Sequence, residues 1–185
     1  MAASARTARS SAFSGWLLLC AIALSGCGSL PSLASRTPSH ALLDTASTPL
    51  GKGIAAEVAR HPGLSGIEAV TDGRVAFGLR VALARAATRS IDVQTFIWHD
   101  DATGMLLYEE MMRAAERGVR VRLLLDDVNT TGMDPIFALL DAQPNIELRL
   151  YNPFVGRVSR TIGILGDFER LNRRMHNKSF TVTTR

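Results

Sequence analysis

Cysteine is nearly missing from the 185 residues: Cys20 and Cys27 are the only two. Cys20 falls in an N-terminal apolar segment expected to be removed. One thiol then remains, and no internal disulfide is available to staple a fold. Histidine is also sparse. His40, His61, His99 and His176 stand far apart, and none meets another His or a Cys at ligand spacing. No metal site is therefore expected. Long apolar runs are lacking as well. The run from Trp16 to Leu24 has nine residues, and at ~1.5 Å per residue it falls short of a hydrocarbon core of about 30 Å. No internal repeat is visible, and Gly51-x-Gly53 has no strand before it to make a phosphate loop. Charge of one sign is not in strong excess. The formal net charge of +4 is too mild to argue for a nucleic-acid partner.

What is present begins with a core. Hydrophobic content is 46%, and the length suits one domain of ordinary size. Arg6 and Arg9 precede the short apolar run, the order of a secretory signal. The run ends in Leu24-Ser25-Gly26-Cys27, which resembles the bacterial lipoprotein cleavage box. That resemblance implies residues 1–26 as signal peptide and Cys27 as the lipidated first residue. The expected location is the bacterial cell envelope, membrane-anchored and facing the periplasm, because several acyl chains hold a protein stably where one does not. Residues 27–62, rich in Ser, Thr, Pro, Ala and Gly, read as a flexible tether with a short helix at 53–59.

Residues 63–185 read as the folded domain. Val75, Leu79, Ala82, Leu83 and Ala86 recur at helical spacing and predict a helix over 74–89. Residues 90–98 are β-prone and densely apolar, which predicts a strand buried on both faces. Asp100 or Thr103 caps the next helix, which runs to Arg117, with Gly118 as its stop. Residues 119–125 form a second strand ending in Asp126-Asp127. Asp134 and Pro135 open a third helix as N-cap and first residue, residues 146–151 form a third strand, and a helix follows over 161–171. This alternation is that of an α/β domain with right-handed crossovers, in which sites gather at the carboxyl ends of strands. Three stretches lie there: Trp98-His99-Asp100-Asp101, Asp126-Asp127-Val128-Asn129 and Tyr151-Asn152-Pro153-Phe154. A strand-end Asp such as Asp126 or Asp127 is most often a turn residue. It is also placed to orient a His or to pair with arginines.

The chemistry concentrates in Arg173-Arg174-Met175-His176-Asn177-Lys178-Ser179-Phe180-Thr181-Val182. Read as a strand, it turns His176, Lys178, Phe180 and Val182 to one face. An imidazole beside a fixed cation suits phosphodiester chemistry: imidazole is a nucleophile or proton shuttle near neutral pH, and lysine stabilises charge developing on phosphoryl oxygens. Arg157, Arg160, Arg170, Arg173, Arg174 and Lys178 surround it against Asp167 and Glu169, an anion-binding floor.

The run from Leu171 to Phe180 resembles the first catalytic motif of phospholipase D-type enzymes, His-x-Lys-x4-Asp. Within that superfamily the chain is similar to the N-terminal half of bacterial cardiolipin synthases of the C type. The resemblance also rests on Ser90-Ile91-Asp92-Val93-Gln94, on Gly118-Val119-Arg120-Val121-Arg122 with the Leu123-Leu124-Leu125-Asp126-Asp127 that follows, and on Pro144-Asn145-Ile146-Glu147 through Phe154. It implies a mixed sheet flanked by helices, representing one half of a two-motif fold. It implies a phosphohistidine intermediate, no cofactor, and phospholipid substrates such as phosphatidylglycerol or phosphatidylethanolamine. By the same resemblance His176 is one histidine of the catalytic pair and Lys178 an oxygen clamp, with Arg173, Arg174 and Asn177 binding substrate phosphate.

Two departures stand out. The family's Asp position holds Thr183, and a second His-x-Lys motif does not occur. The expectation is a truncated or frame-changed chain with little or no activity alone, lacking a C-terminal half. The competing expectations are a homodimer that builds the site across a two-fold axis, as small nucleases of the superfamily do, and a non-catalytic lipid-anchored module that binds anionic head groups. The cleavage box and the lack of an extended basic surface argue against nucleic acid.

Overall fold

A computed structural model describes residues 29–34, 36–44, 46–157, 160, 163–164 and 167–183. Cys27 and the signal segment 1–26 lie outside the described residues, as do Thr184 and Arg185. The chain divides into two compact units, Thr37–Pro153 with Glu169–Arg185, and Met1–Arg36 with Phe154–Phe168. In the second of these, the Arg160 guanidinium stands 5.0 Å over the Phe154 ring.

The larger unit is a four-stranded mixed sheet flanked by helices, in the order β3-β2-β1-β4. Strands β1 (Ser90–Thr95), β2 (Arg120–Asp126) and β3 (Ile146–Tyr151) run parallel, and β4 (Lys178–Thr183) runs antiparallel to β1. The register aligns Ile91 with Val121 and Val182, and Val93 with Leu123 and Phe180. Those residues, with Leu125 and Ile146, make one apolar face. Tyr108, Met111, Ala114, Ala115, Phe137 and Leu140 close over it. Each fully buried side chain of Leu or Ile size contributes about 1.5–3 kcal/mol.

The opposite face carries Asp92, Gln94, Arg122, Glu147 and Arg149, all half-buried, so β1 is apolar on one side only. This corrects the expectation of two buried faces. Asp92 pairs with Arg122, and Glu147 with Arg149. Across this face lie residues from the segment before the first helix. Arg122 Nη1 donates to Ser39 Oγ at 3.0 Å, and Arg149 Nη2 to the Thr37 carbonyl at 3.1 Å.

The helices are α1 (Pro49–Arg60), α2 (Gly73–Ala86), α3 (Ala102–Glu116) and α4 (Asp134–Asp141). Helix α1 is longer than the expected 53–59, because Thr48 caps it through Gly51 N–H and Pro49 opens it. Asp72 caps α2 by accepting from Arg74 and Val75 N–H. Asp101, rather than Asp100 or Thr103, caps α3. Its carboxylate takes Gly104 N–H at 2.8 Å and the Thr103 hydroxyl at 2.7 Å, and these bonds, the backbone one foremost, hold its pKa below the usual carboxylate range. Gly118 ends α3 at φ +86, and its N–H reaches Ala115 O at 2.9 Å, the left-handed stop that glycine allows. Asp134 is the first residue of α4 instead of its cap, which is Met133. β1 stops at Thr95, three residues before Trp98. The indole leaves the sheet to stack on Tyr108 at 4.5 Å and to donate to Gly104 O at 3.3 Å. The helix expected over 161–171 is described as helix only in part, with its last turn at α5 (Phe168–Leu171). No helix among the described residues is long and apolar enough to cross a membrane.

Candidate functional site

Sheet register sets where the motif sits. Lys178 opens β4 opposite Thr95, the last residue of β1. By alternation it shares the face of Phe180 and Val182. His176 lies two residues earlier, in an irregular stretch. The strand therefore starts later than the sequence pattern suggests, yet His176 and Lys178 still meet one neighbour. The His176 ring is tilted against Phe96 with centroids 5.0 Å apart, and Lys178 Nζ stands 5.5 Å from the centroid of the same ring. A phenyl face attracts an ammonium electrostatically and packs an imidazole edge-on. Lys178 Nζ also donates to the His176 carbonyl at 3.3 Å. Asn177 Nδ2 donates to Gln94 Oε1 at 2.8 Å. His176, Asn177 and Lys178 are all exposed.

The residues just upstream are held from two strand ends. At the end of β2, Asp126 accepts from Arg174 Nη1 and from Met175 N–H, each at 2.9 Å. At the end of β3, Asn152 adopts φ +48, a left-handed conformation that Asn tolerates better than most residues. Its Nδ2 donates to the carbonyls of Arg170 and Arg173. Arg170 Nη1 returns a bond to Asn152 Oδ1 at 2.7 Å. Among the arginines expected at a phosphate, Arg174 turns to Asp126, and Arg173 pairs with Glu169 at 2.6 Å on the surface. Position 183 lies at the other end of β4 from Lys178, roughly 17 Å along the strand and on its opposite face.

A groove of about 650 Å³ runs beside the motif, with Val70, Phe77, Leu83, Ile97 and Leu107 among its walls and Lys178 at its margin. Tyr108, stacked on Trp98, is buried, and burial pushes its phenol pKa well up. No cluster of three or more His, Cys, Asp or Glu able to hold a metal ion occurs among the described residues.

No family model matches the chain. Over 123 residues it is 54% identical to cardiolipin synthase C of Escherichia coli (strain K12), covering 66% of this chain and 26% of that protein. The chain belongs to the phospholipase D superfamily. It is also 29% identical over 104 residues to cardiolipin synthase B of the same organism, covering 56% of this chain and 23% of that one. The chain thus spans about a quarter of the length of these relatives. Among solved structures, NucT from Helicobacter pylori aligns at a TM-score of 0.36 and 20% identity, over 42% of this chain and 47% of that one.

Sequence reasoning singled out His176, Lys178 and Asn177 and weighed Asp126 as a partner of arginines. It missed Phe96 and the contact of Gln94, and it placed Asn152 at a strand end without assigning it a partner. Phe96 reads as ordinary strand material, and the amide contacts of Gln94 and Asn152 join residues 83 and 18 to 21 positions away.

Proposed function

We propose that this chain carries half of a phosphatidyl-transfer site, acting on phospholipid phosphodiesters through a phosphohistidine. His176 attacks phosphorus, a P–N bond forms, and the P–O bond to the leaving alcohol breaks. Lys178 stabilises the non-bridging oxygens as charge builds on them, and Asn177 and Arg173 are assigned to binding the phosphate. A second histidine protonates the departing alcohol. Water or an acceptor lipid hydroxyl then displaces the histidine.

The observation that carries this reading is the packing of the His176 imidazole and the Lys178 ammonium against the one Phe96 ring. The identity to cardiolipin synthase C supports phospholipids as the substrate class. Lipidation at Cys27, and with it a membrane location facing the periplasm, belongs to the same reading. His-x-Lys occurs once in the 185 residues, so the proton donor comes from a second copy of the motif, in a partner chain or a further segment. These residues alone are expected to turn over natural lipids slowly or not at all.

An activated diester tests this without the missing acid. Bis(p-nitrophenyl) phosphate releases p-nitrophenolate with no proton needed. The expected result is a burst of nitrophenolate, at most one per chain, and an acid-labile phosphoryl adduct on the His176 peptide by mass spectrometry. His176→Ala abolishes both. No adduct in the wild-type chain, or an adduct indifferent to His176→Ala, overturns the catalytic reading. Binding to phosphatidylglycerol vesicles without any adduct would leave a head-group-binding module in its place.

A further inference from the structure

We propose that Asp126 is the positioning residue for His176. The proposal rests on the reading of His176 as the reactive group, but it concerns where the imidazole is held.

Asp126 ends β2, and its side chain is fully buried. Three donors meet its carboxylate. Oδ1 accepts from Val128 N–H and from Arg174 Nη1, and Oδ2 accepts from Met175 N–H, all at 2.9 Å. A buried carboxylate persists only when paired and hydrogen-bonded, and the Arg174 side chain, 16% exposed, supplies the charge. The oxygens divide the work. Oδ1 binds Val128 N–H within its own turn and the Arg174 guanidinium. Oδ2 fixes the backbone one residue before His176, at the point where the chain has left α5 and has not yet joined β4. No ladder bond holds Met175 there. Its N–H goes to Asp126, which is 49 positions away in sequence.

The carboxylate that reaches the motif is therefore at the end of β2. Position 183, where the family resemblance places an Asp, lies at the far end of β4. The hydrogen bonds of Asp126 go to Val128, Arg174 and Met175. It acts through Met175 and Arg174, setting the path that brings the ring onto Phe96.

The test reads placement in the full chain by NMR. The Phe96 ring is expected to shift the His176 ring resonances away from those of His61, which lies at 58% exposure beside Glu57. In Asp126→Asn the Met175 amide is expected to exchange about tenfold or more faster, and the His176 resonances to move toward those of His61. The amides of Val121 and Leu123 should keep their protection. Arg174→Gln leaves the Met175 bond in place, so its His176 resonances should move less. Unmoved His176 resonances in Asp126→Asn overturn the proposal. So does faster exchange shared equally by the core strands, which marks a contact that only stabilises the fold. Adduct formation by the wild-type chain reports separately on the chemistry of His176.

Discussion

Ser90 faces Thr183 across the β1–β4 ladder, at the end of the sheet away from Lys178. Arg120 faces Ser90 from β2 in the same row. Ser90 Oγ and Arg120 Nε and Nη2 are buried with no hydrogen-bond partner among the described residues. The row holds two hydroxyls and a guanidinium but no carboxylate to pair with it, and the phospholipase D motif has one at this position. Thr183→Asp is therefore expected to stabilise the fold by about 1–3 kcal/mol, read as a higher Tm, while Thr183→Val gives no gain. A lower Tm for Thr183→Asp would show that the Arg120 head does not reach position 183.

Glu110 joins α2 to α3. Its carboxylate, 4% exposed, accepts from Arg85 Nε at 3.0 Å and Nη2 at 2.5 Å, and Arg113 stands at 3.4 Å. The Arg85 hydrogen bond is the chief cause that holds the Glu110 pKa below the ordinary carboxylate value. A depressed folded-state pKa means the unfolded chain binds the proton first. The contribution is then complete above the unfolded value of about 4.3 and is lost as pH falls through the lower folded value. Glu110→Gln should lower stability at pH 7 and flatten its decline below about pH 4. Denaturant melts across that range check it, and parallel curves for the two proteins would remove Glu110 from the acid transition.

Much of this fold is legible in sequence because its signals are local. The spacing of Val75, Leu79 and Leu83, the stop at Gly118 and the third strand over 146–151 follow from neighbours within a few residues. The misplaced details have distant causes. β4 starts at Lys178 and not earlier because Met175 N–H is taken by Asp126, and no periodicity records a bond across 49 positions. β1 ends early because Trp98 finds Tyr108. The polar face of the sheet was hidden by a run of apolar letters from Phe96 to Trp98 that lies beyond the strand. At the site, His176 and Lys178 were visible by residue type, whereas the Phe96 ring that both touch acquires meaning only when β1 and β4 are adjacent.

Gly104 opens the first turn of α3, where a helix scale favours Ala over Gly by about 1 kcal/mol. The structure reverses that preference. A Cβ at Gly104 would run into the His99 carbonyl and come within 2.9 Å of Trp98 Nε1. The backbone oxygen cannot give way without moving the loop that carries Trp98. Gly104→Ala is expected to cost about 3 kcal/mol and to weaken the Trp98–Tyr108 stack. Urea melts and the near-ultraviolet circular dichroism of the indole test it. A variant as stable as wild type, with the indole signal intact, would show that the loop yields freely.

Phe96 is the piece of the site whose removal separates stability from chemistry. It is half-buried just past β1, so Phe96→Leu keeps most of its apolar bulk and should shift Tm little. The shared ring is lost, however. The cation–π contact to Lys178 and the ring contact to His176 are each worth roughly 0.5–1 kcal/mol at an exposed site. Losing both is expected to slow adduct formation from bis(p-nitrophenyl) phosphate by about five- to thirtyfold. Phe96→Tyr, which retains the ring, should react near the wild-type rate. If Phe96→Leu and Phe96→Tyr react equally fast, the ring is packing material and the imidazole and ammonium are held together by the backbone alone.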